Sequence, residues 1–233
     1  MSDGMLRTAS MTQHTWGQIV VGPPGAGKTT YCQGMQMFME AIEREAIVVN
    51  LDPANKDPPY TATVDISELI TVEEVMETLE LGPYACVRKA QRFSRMPFDW
   101  WPCVLFFVVF PGPNGALMYC IEYLEKHVDW LVEKLQPHRD KYLLFDCPGQ
   151  IELFTHNPSL SKIIRRLTAT NLQLCCVHLT DSHHCSDVGK YISATLISLM
   201  VMLKLELPHV NVLSKIDLVE KFGELPLRFV ATM

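Results

Sequence analysis

The sequence predicts an α/β fold of three layers, a mostly parallel sheet with helices on both faces. Three observations predict it. Short apolar runs rich in Val, Ile and Leu alternate with helix-length segments, the pattern of parallel strands buried on both faces and joined by helices. The motifs that carry Gly and Asp fall just after those runs, at strand ends, where open parallel sheets hold their ligands. With 233 residues, 48% hydrophobic and 20% charged, the chain can fill the core of one domain.

The elements follow in order. Residues 1–16 are polar and aperiodic and read as a flexible N-terminal tail, ahead of a domain over 17–233. Ile19-Val20-Val21 is a β-branched run and reads as a buried strand, 19–21. A turn rich in Gly and Pro follows, and it opens a helix over 29–43. The run Ile47-Val48-Val49 marks a strand at 46–50, and helices are expected at 72–79 and 116–135. Further strands are expected at 142–145, 172–179 and 210–213, and further helices at 160–167 and 188–203.

Residues 83–112 break the alternation. The first half is basic. The second half, 100–110, is an apolar run carrying Pro102. The run is shorter than the roughly 20 residues a helix needs to span a bilayer. Its high β-propensity and lack of charge mark an aggregation hazard if exposed. It reads as a buried strand, a patch for a partner, or sequence foreign to the fold.

The net charge of −6 argues against a broad nucleic-acid-binding surface. The cysteines, Cys32, Cys86, Cys103, Cys120, Cys147, Cys175, Cys176 and Cys185, show no C-x-x-C pair and no zinc-like spacing. No secretory signal is visible at the N-terminus. Reduced thiols that mostly fill core positions, in a cytosolic or nuclear protein, are therefore expected.

Gly22-Pro23-Pro24-Gly25-Ala26-Gly27-Lys28-Thr29 fits the phosphate-binding pattern G-x-x-x-x-G-K-[ST], and Thr30 follows it. The glycines let backbone N–H groups turn inward at an anion. The helix that follows adds its partial positive charge. Lys28 can reach β- and γ-phosphates, and the Thr29 hydroxyl can ligate Mg²⁺. A chance Gly/Pro-rich turn is the alternative, and the flanking strand and helix argue against it. The loop narrows the fold class to the three-layer P-loop NTPase fold.

Asp146-Cys147-Pro148-Gly149-Gln150 is a D-x-x-G sequence after the strand at 142–145. Asp146 there can hold Mg²⁺ through water, the Gly149 N–H can sense a γ-phosphate, and Gln150 can orient an attacking water. Chance matches to so short a pattern are common; its place on a strand after a phosphate loop favours function. Asp52 ends the strand at 46–50, placed to approach Mg²⁺ or water; a turn-forming Asp-Pro pair is the alternative. Glu152 is a further carboxylate near that end.

Ser214-Lys215-Ile216-Asp217 resembles the guanine-reading motif N-K-x-D, with Ser in first place. Asp217 can accept hydrogen bonds from guanine N1 and N2, a donor pair adenine lacks. The Lys215 stem can pack over the base. The alternative is a capping Ser beside a solvated Lys/Asp pair. Asp181-Ser182-His183-His184-Cys185 reads as a loop rather than a metal site, because adjacent histidines do not readily share one ion. Arg165-Arg166 reads as a solvated face.

Taken together, GPPGAGKTT at 22–30, NLDPAN at 50–55, PGPNG at 111–115, FDCPGQIE at 145–152 and SKID at 214–217 resemble the GPN-loop GTPases, over residues 17–82 and 113–223. The resemblance implies an enzyme that binds GTP and Mg²⁺ and releases GDP. It implies a homodimer, or a heterodimer with other GPN-loop GTPases, in which the Gly112-Pro113-Asn114 loop reaches the partner's site. Asn114 would then act in trans, with Lys28, Thr29, Asp52, Asp146, Gln150 and Glu152 acting in cis. It implies a link to RNA polymerase II assembly and nuclear import, a cytoplasmic location with shuttling to the nucleus, and no direct nucleic acid or membrane partner.

Two departures stand out. Deleting 83–112 leaves Leu81-Gly82-Pro113-Asn114-Gly115 and restores the family pattern, so the segment reads as an insertion of retained-intron or extra-exon type. After Gly223 the sequence leaves the pattern, and the expectation is a truncated C-terminus that lacks the loop completing the guanine pocket. Lower stability and weaker nucleotide affinity would follow. A P-loop kinase and a non-hydrolysing binding partner are the remaining readings.

Overall fold

The computed structural model describes residues 15–78 and 113–218. The expectations for 83–112 and for the segment after Gly223 lie outside them, as do Cys86 and Cys103. The strands are β1 (Thr15–Val21), β2 (Ala46–Asn50), β3 (Ala62–Asp65), β4 (Tyr142–Asp146), β5 (Leu172–Asp181) and β6 (His209–Ser214). They form one six-stranded sheet in the order β3-β2-β4-β1-β5-β6, and every neighbouring pair is parallel. β1 lies inside: Ile19 is in register with Phe145 on one side and Cys176 on the other.

The helices are α1 (Lys28–Ala41), α2 (Val72–Thr78), α3 (Pro113–Lys126), α4 (Val128–Leu135), α5 (Glu152–Thr155), α6 (Ser159–Thr168) and α7 (Val188–Leu205). Alternation along the strands builds two cores. Val20, Val48, Leu144 and Leu179 face α1 and pack with Ala26, Cys32 and Tyr60. Ile19, Val21, Ile47, Val49, Leu143 and Phe145 face the other way, into a larger cluster. There α6 turns in Leu160, Ile163, Ile164 and Leu167, at the i, i+3, i+4, i+7 spacing of an amphipathic helix. Each such burial contributes roughly 1.5–3 kcal/mol. Sheet and two helical layers give the expected three-layer α/β fold.

The differences from the sequence reading are local. β1 begins at Thr15, inside the stretch whose polarity suggests a tail, and the buried Thr15 hydroxyl donates to the Arg139 carbonyl. The span 116–135 is two helices. His127 leaves helical geometry at φ −113°, ψ 30°, with its Nδ1 2.9 Å from the Tyr123 carbonyl. β3 and α5, four residues each, carry too short a pattern to be expected. Of the described cysteines, all are free thiols and only Cys175 is not buried; burial pushes Cys120 and Cys176 up to about 12.

Among the described residues α7 is the helix long and apolar enough to cross a membrane, with mean hydropathy 1.5. It links β5 and β6, which are hydrogen-bonded parallel neighbours, and turns Ser198, Val201 and Leu205 inward.

Candidate nucleotide-binding site

The phosphate loop runs from the end of β1 to the first turn of α1. Gly22 sits at φ +150°, and a Cβ there would drive into the Leu179 carbonyl of β5. Gly25 and Gly27 are left-handed at φ 75° and 89°. Gly27 caps α1 without a side-chain bond, so the helix N-terminus keeps free N–H groups for an anion. The loop is closed internally by Ala26 N–H to the Pro23 carbonyl at 3.2 Å. Lys28 is buried, and its Nζ donates to the same carbonyl at 3.3 Å. A loop that already holds its lysine inward needs little reorganisation to meet a phosphate.

The end of β4 meets this loop. The Thr29 hydroxyl donates to Asp146 Oδ2 at 3.0 Å, and the Tyr60 hydroxyl donates to the same oxygen at 2.9 Å. Asp146 is 1% exposed. Its Oδ1 is buried with no hydrogen-bond partner. Burial holds the Asp146 carboxyl above its usual range, against the Tyr60 and Thr29 hydroxyls and the Lys28 charge. A buried carboxylate oxygen without a donor, beside a threonine hydroxyl, is a donor set suited to a hard cation or its bound water. Burial, and then the Asp146 charge, also raises Tyr60, which keeps its phenol proton.

Asp52 follows β2 and is half-buried, which raises its carboxyl against the Ala54 N–H and Lys28. A buried Asn50 orders this turn. Its Oδ1 accepts from Asp52 N–H at 3.1 Å, while its Nδ2 donates to the Asn55 carbonyl and to Asp65 Oδ2 at 2.9 Å. Gly149 lies against the phosphate loop: a Cβ there would stand 2.7 Å from Lys28 Nζ and 3.0 Å from Pro24 Cα. Gln150 Nε2 donates to Asn114 Oδ1 at 2.8 Å, so Asn114 meets Gln150 of its own chain. Glu152 is exposed at the start of α5.

At the far edge of the sheet β6 ends on Ser214, whose hydroxyl donates to the Thr180 carbonyl at 3.2 Å. Lys215 has φ +58°, and its Nζ pairs with Asp181 Oδ2 at 2.7 Å. Burial alone would raise the Asp181 carboxyl; the Lys215 ammonium and the His183 N–H outweigh it and hold it down. Asp217 is exposed. Among the described residues no group of three or more His, Cys, Asp and Glu is placed to hold a metal; Ser182–Ser186 form a short 3-10 turn. Arg165 and Arg166 form surface pairs with Glu206 and Asp129, as a solvated face would.

Two site residues escape the sequence reading. Tyr60 follows two prolines in a connection, and its one signal is general: a buried tyrosine needs a partner for its hydroxyl. Asn50 ends an apolar strand, where a buried amide implies a local network.

Six parallel strands, a lysine-bearing glycine loop at the end of an inner strand, and an aspartate fastened to that loop define a P-loop nucleotide-binding protein. The family model described as "conserved hypothetical ATP binding protein" matches residues 20–105 and 111–231. GPN-loop GTPase 2 of Danio rerio is 48% identical over 210 residues, 90% of this chain and 58% of that protein. GPN-loop GTPase 2 of Schizosaccharomyces pombe is 42% identical over 212 residues, 91% of this chain and 58% of that one. GPN-loop GTPase 3 of Candida glabrata is 41% identical over 214 residues, 91% of this chain and 68% of that protein. The chain belongs to the GPN-loop GTPase family. It spans less than two-thirds of the length of the first two of these relatives. A solved apo GTPase from Pyrococcus abyssi shares the fold, with TM-score 0.66 and 24% identity over 89% of this chain and 70% of that one.

Proposed function

We propose that this chain is the nucleotide-binding domain of a GTPase that hydrolyses GTP to GDP and phosphate. The observation that carries the reading is the Thr29–Asp146 bond at 3.0 Å, which fastens the end of β4 to the phosphate loop. The loop N–H groups and Lys28 bind and orient the β- and γ-phosphates. Gly149 lies against Lys28, and its N–H would sense the γ-phosphate. Gln150 and Asp52 orient water, with Glu152 nearby. Mg²⁺ would be held by Thr29 and, through water, by Asp146, and supplies neutralisation of charge on the transferring phosphoryl group. The protein's own contribution is positioning and electrostatic stabilisation.

Asp217 favours guanine over adenine, whereas the family description names ATP. The test is hydrolysis and binding of GTP and ATP by the full chain, with Asp217→Ala alongside. A GTP preference of roughly tenfold or more, lost in the variant, is expected; equal use of both nucleotides refutes guanine selection. A kinase reading lacks support: Arg165 and Arg166 are committed to surface pairs. A binding partner without turnover has one point in its favour, the Gln150 amide engaged by Asn114. GTP bound without release of phosphate would select that reading.

The biological reading is a dimeric switch, homodimer or heterodimer with another GPN-loop GTPase, with Asn114 serving a partner's site. It acts in RNA polymerase II assembly and nuclear import, from the cytoplasm with nuclear shuttling. Residues 83–112 interrupt its loop. Size-exclusion mass with GTP, for the full chain and for a version lacking 83–112, tests this. A monomer in both forms refutes the dimer.

A further inference from the structure

We propose that Tyr60 is a positioning residue that aims the Asp146 carboxylate at the cation, an inference that rests on the Mg²⁺–nucleotide reading above. Asp146 takes two donors on one oxygen, Thr29 at 3.0 Å and Tyr60 at 2.9 Å, and leaves Oδ1 buried and bare. One hydroxyl on one oxygen would let the carboxylate swing about its χ2 torsion, which is soft. A second donor from another direction fixes the plane, and with it the line along which Oδ1 presents its lone pairs.

Tyr60 is suited to that task. It is 6% exposed and packs with Val20, Cys32, Val48 and Leu144 in the α1-side core, so its ring cannot follow a moving carboxylate. Its two χ angles carry little entropy to lose compared with a long flexible donor. The Thr29 hydroxyl is the weaker anchor. It sits in the first turn of α1 beside the phosphate loop and has to serve the cation with its lone pairs as well as Asp146 with its proton. Tyr60 comes from the connection between β2 and β3, and couples that connection to the end of β4.

The test is binding of a fluorescent GDP analogue to the full chain, measured with excess Mg²⁺ and again with EDTA. In the parent chain Mg²⁺ is expected to tighten binding. Tyr60→Phe is expected to reduce that Mg²⁺-dependent gain by about tenfold while the EDTA affinity stays as in the parent. A phenol that only supported the fold would weaken both affinities together, and that outcome, or an unchanged gain, overturns the proposal. Replacement of Tyr60 by 3,5-difluorotyrosine keeps the ring and strengthens the donor, so the gain should persist; a Phe-like loss counts against the hydroxyl's role. A parent chain that binds GDP without any Mg²⁺ gain refutes the metal reading, and Tyr60's role falls with it.

Discussion

The two ends of the nucleotide site are built differently. At the phosphate end Lys28, Asn50 and Asp146 are buried and each is hydrogen-bonded, Lys28 to the Pro23 carbonyl, Asn50 to Asp65 on β3 and Asp146 to Thr29 on α1. At the base end Lys215 and Asp217 are exposed, and the ties there include one exposed ion pair from Lys215 to Asp181 and two hydroxyl bonds to backbone carbonyls, Ser214 to Thr180 and Ser182 to Lys215. The difference follows strand position rather than motif chemistry. β1, β2 and β4 have neighbours on both edges, whereas β6 is the outermost strand and Val210 on it is 49% exposed. An inner strand end is walled by its neighbours, so polar groups there must satisfy each other; an edge strand end is left to solvent or to a ligand.

The largest test of this contrast is Gly22→Ala. The new Cβ meets the Leu179 carbonyl at a backbone angle that favours glycine, and the loss should be about 4 kcal/mol in a urea melt. A loss below about 1 kcal/mol would mean that the phosphate end yields more easily than its packing implies. Acidification comes next. His178 in β5 is buried, which with the nearby His209 pushes its imidazole down to about 4. Because the folded value lies below the ordinary 6.5, the unfolded chain takes the proton first, and stability is lost as pH falls between those values. The loss approaches about 3 kcal/mol by pH 4, and His178→Asn should flatten that part of the pH profile.

The phosphate end carries the opposite sign. Asp146 is raised by burial, so it contributes stability below the ordinary carboxyl range and loses it as pH rises through the folded value. Asp146→Asn should therefore stabilise the nucleotide-free chain at neutral pH by roughly 1 kcal/mol, at the expense of function. The margin should close on acidification; a margin constant with pH would locate the effect elsewhere. The smallest effect belongs to the base end. Lys215→Ala removes an ion pair whose side chains are 37% and 25% exposed, and the melt should move by less than about 1 kcal/mol. A larger shift would show that the edge is as tightly built as the centre.

The same contrast governs what can be read from residues alone. The strand–loop–helix over 19–41 and the Asp146–Gln150 end of β4 are legible because apolar period and glycine placement are local signals; the start of β1 at Thr15 is not, because the apolar run begins only at Ile19. Tyr60 and the Asn114–Gln150 contact are not, because each joins segments far apart in sequence; Asn50 is not, because an amide closing an apolar strand carries no pattern that names its partners. β3 escapes because only Val64 in it is buried. The break at His127 escapes because the apolar residues run on through it, with Leu124 and Leu131 both in the core.

The strand order has a consequence for the newborn chain. β1 and β2 are consecutive in synthesis, yet β4 must slot between them. Until Tyr142–Asp146 emerges, the two earliest strands have no shared ladder, and the phosphate loop has neither the Asp146 anchor nor the Gly149 wall. Closing so distant a pairing is slow compared with forming helices, and synthesis proceeds at roughly 5–20 residues per second. The first strands therefore wait exposed on the ribosome for their central partner, and a nascent chain stalled before β4 would be a client for chaperones rather than a nucleotide binder.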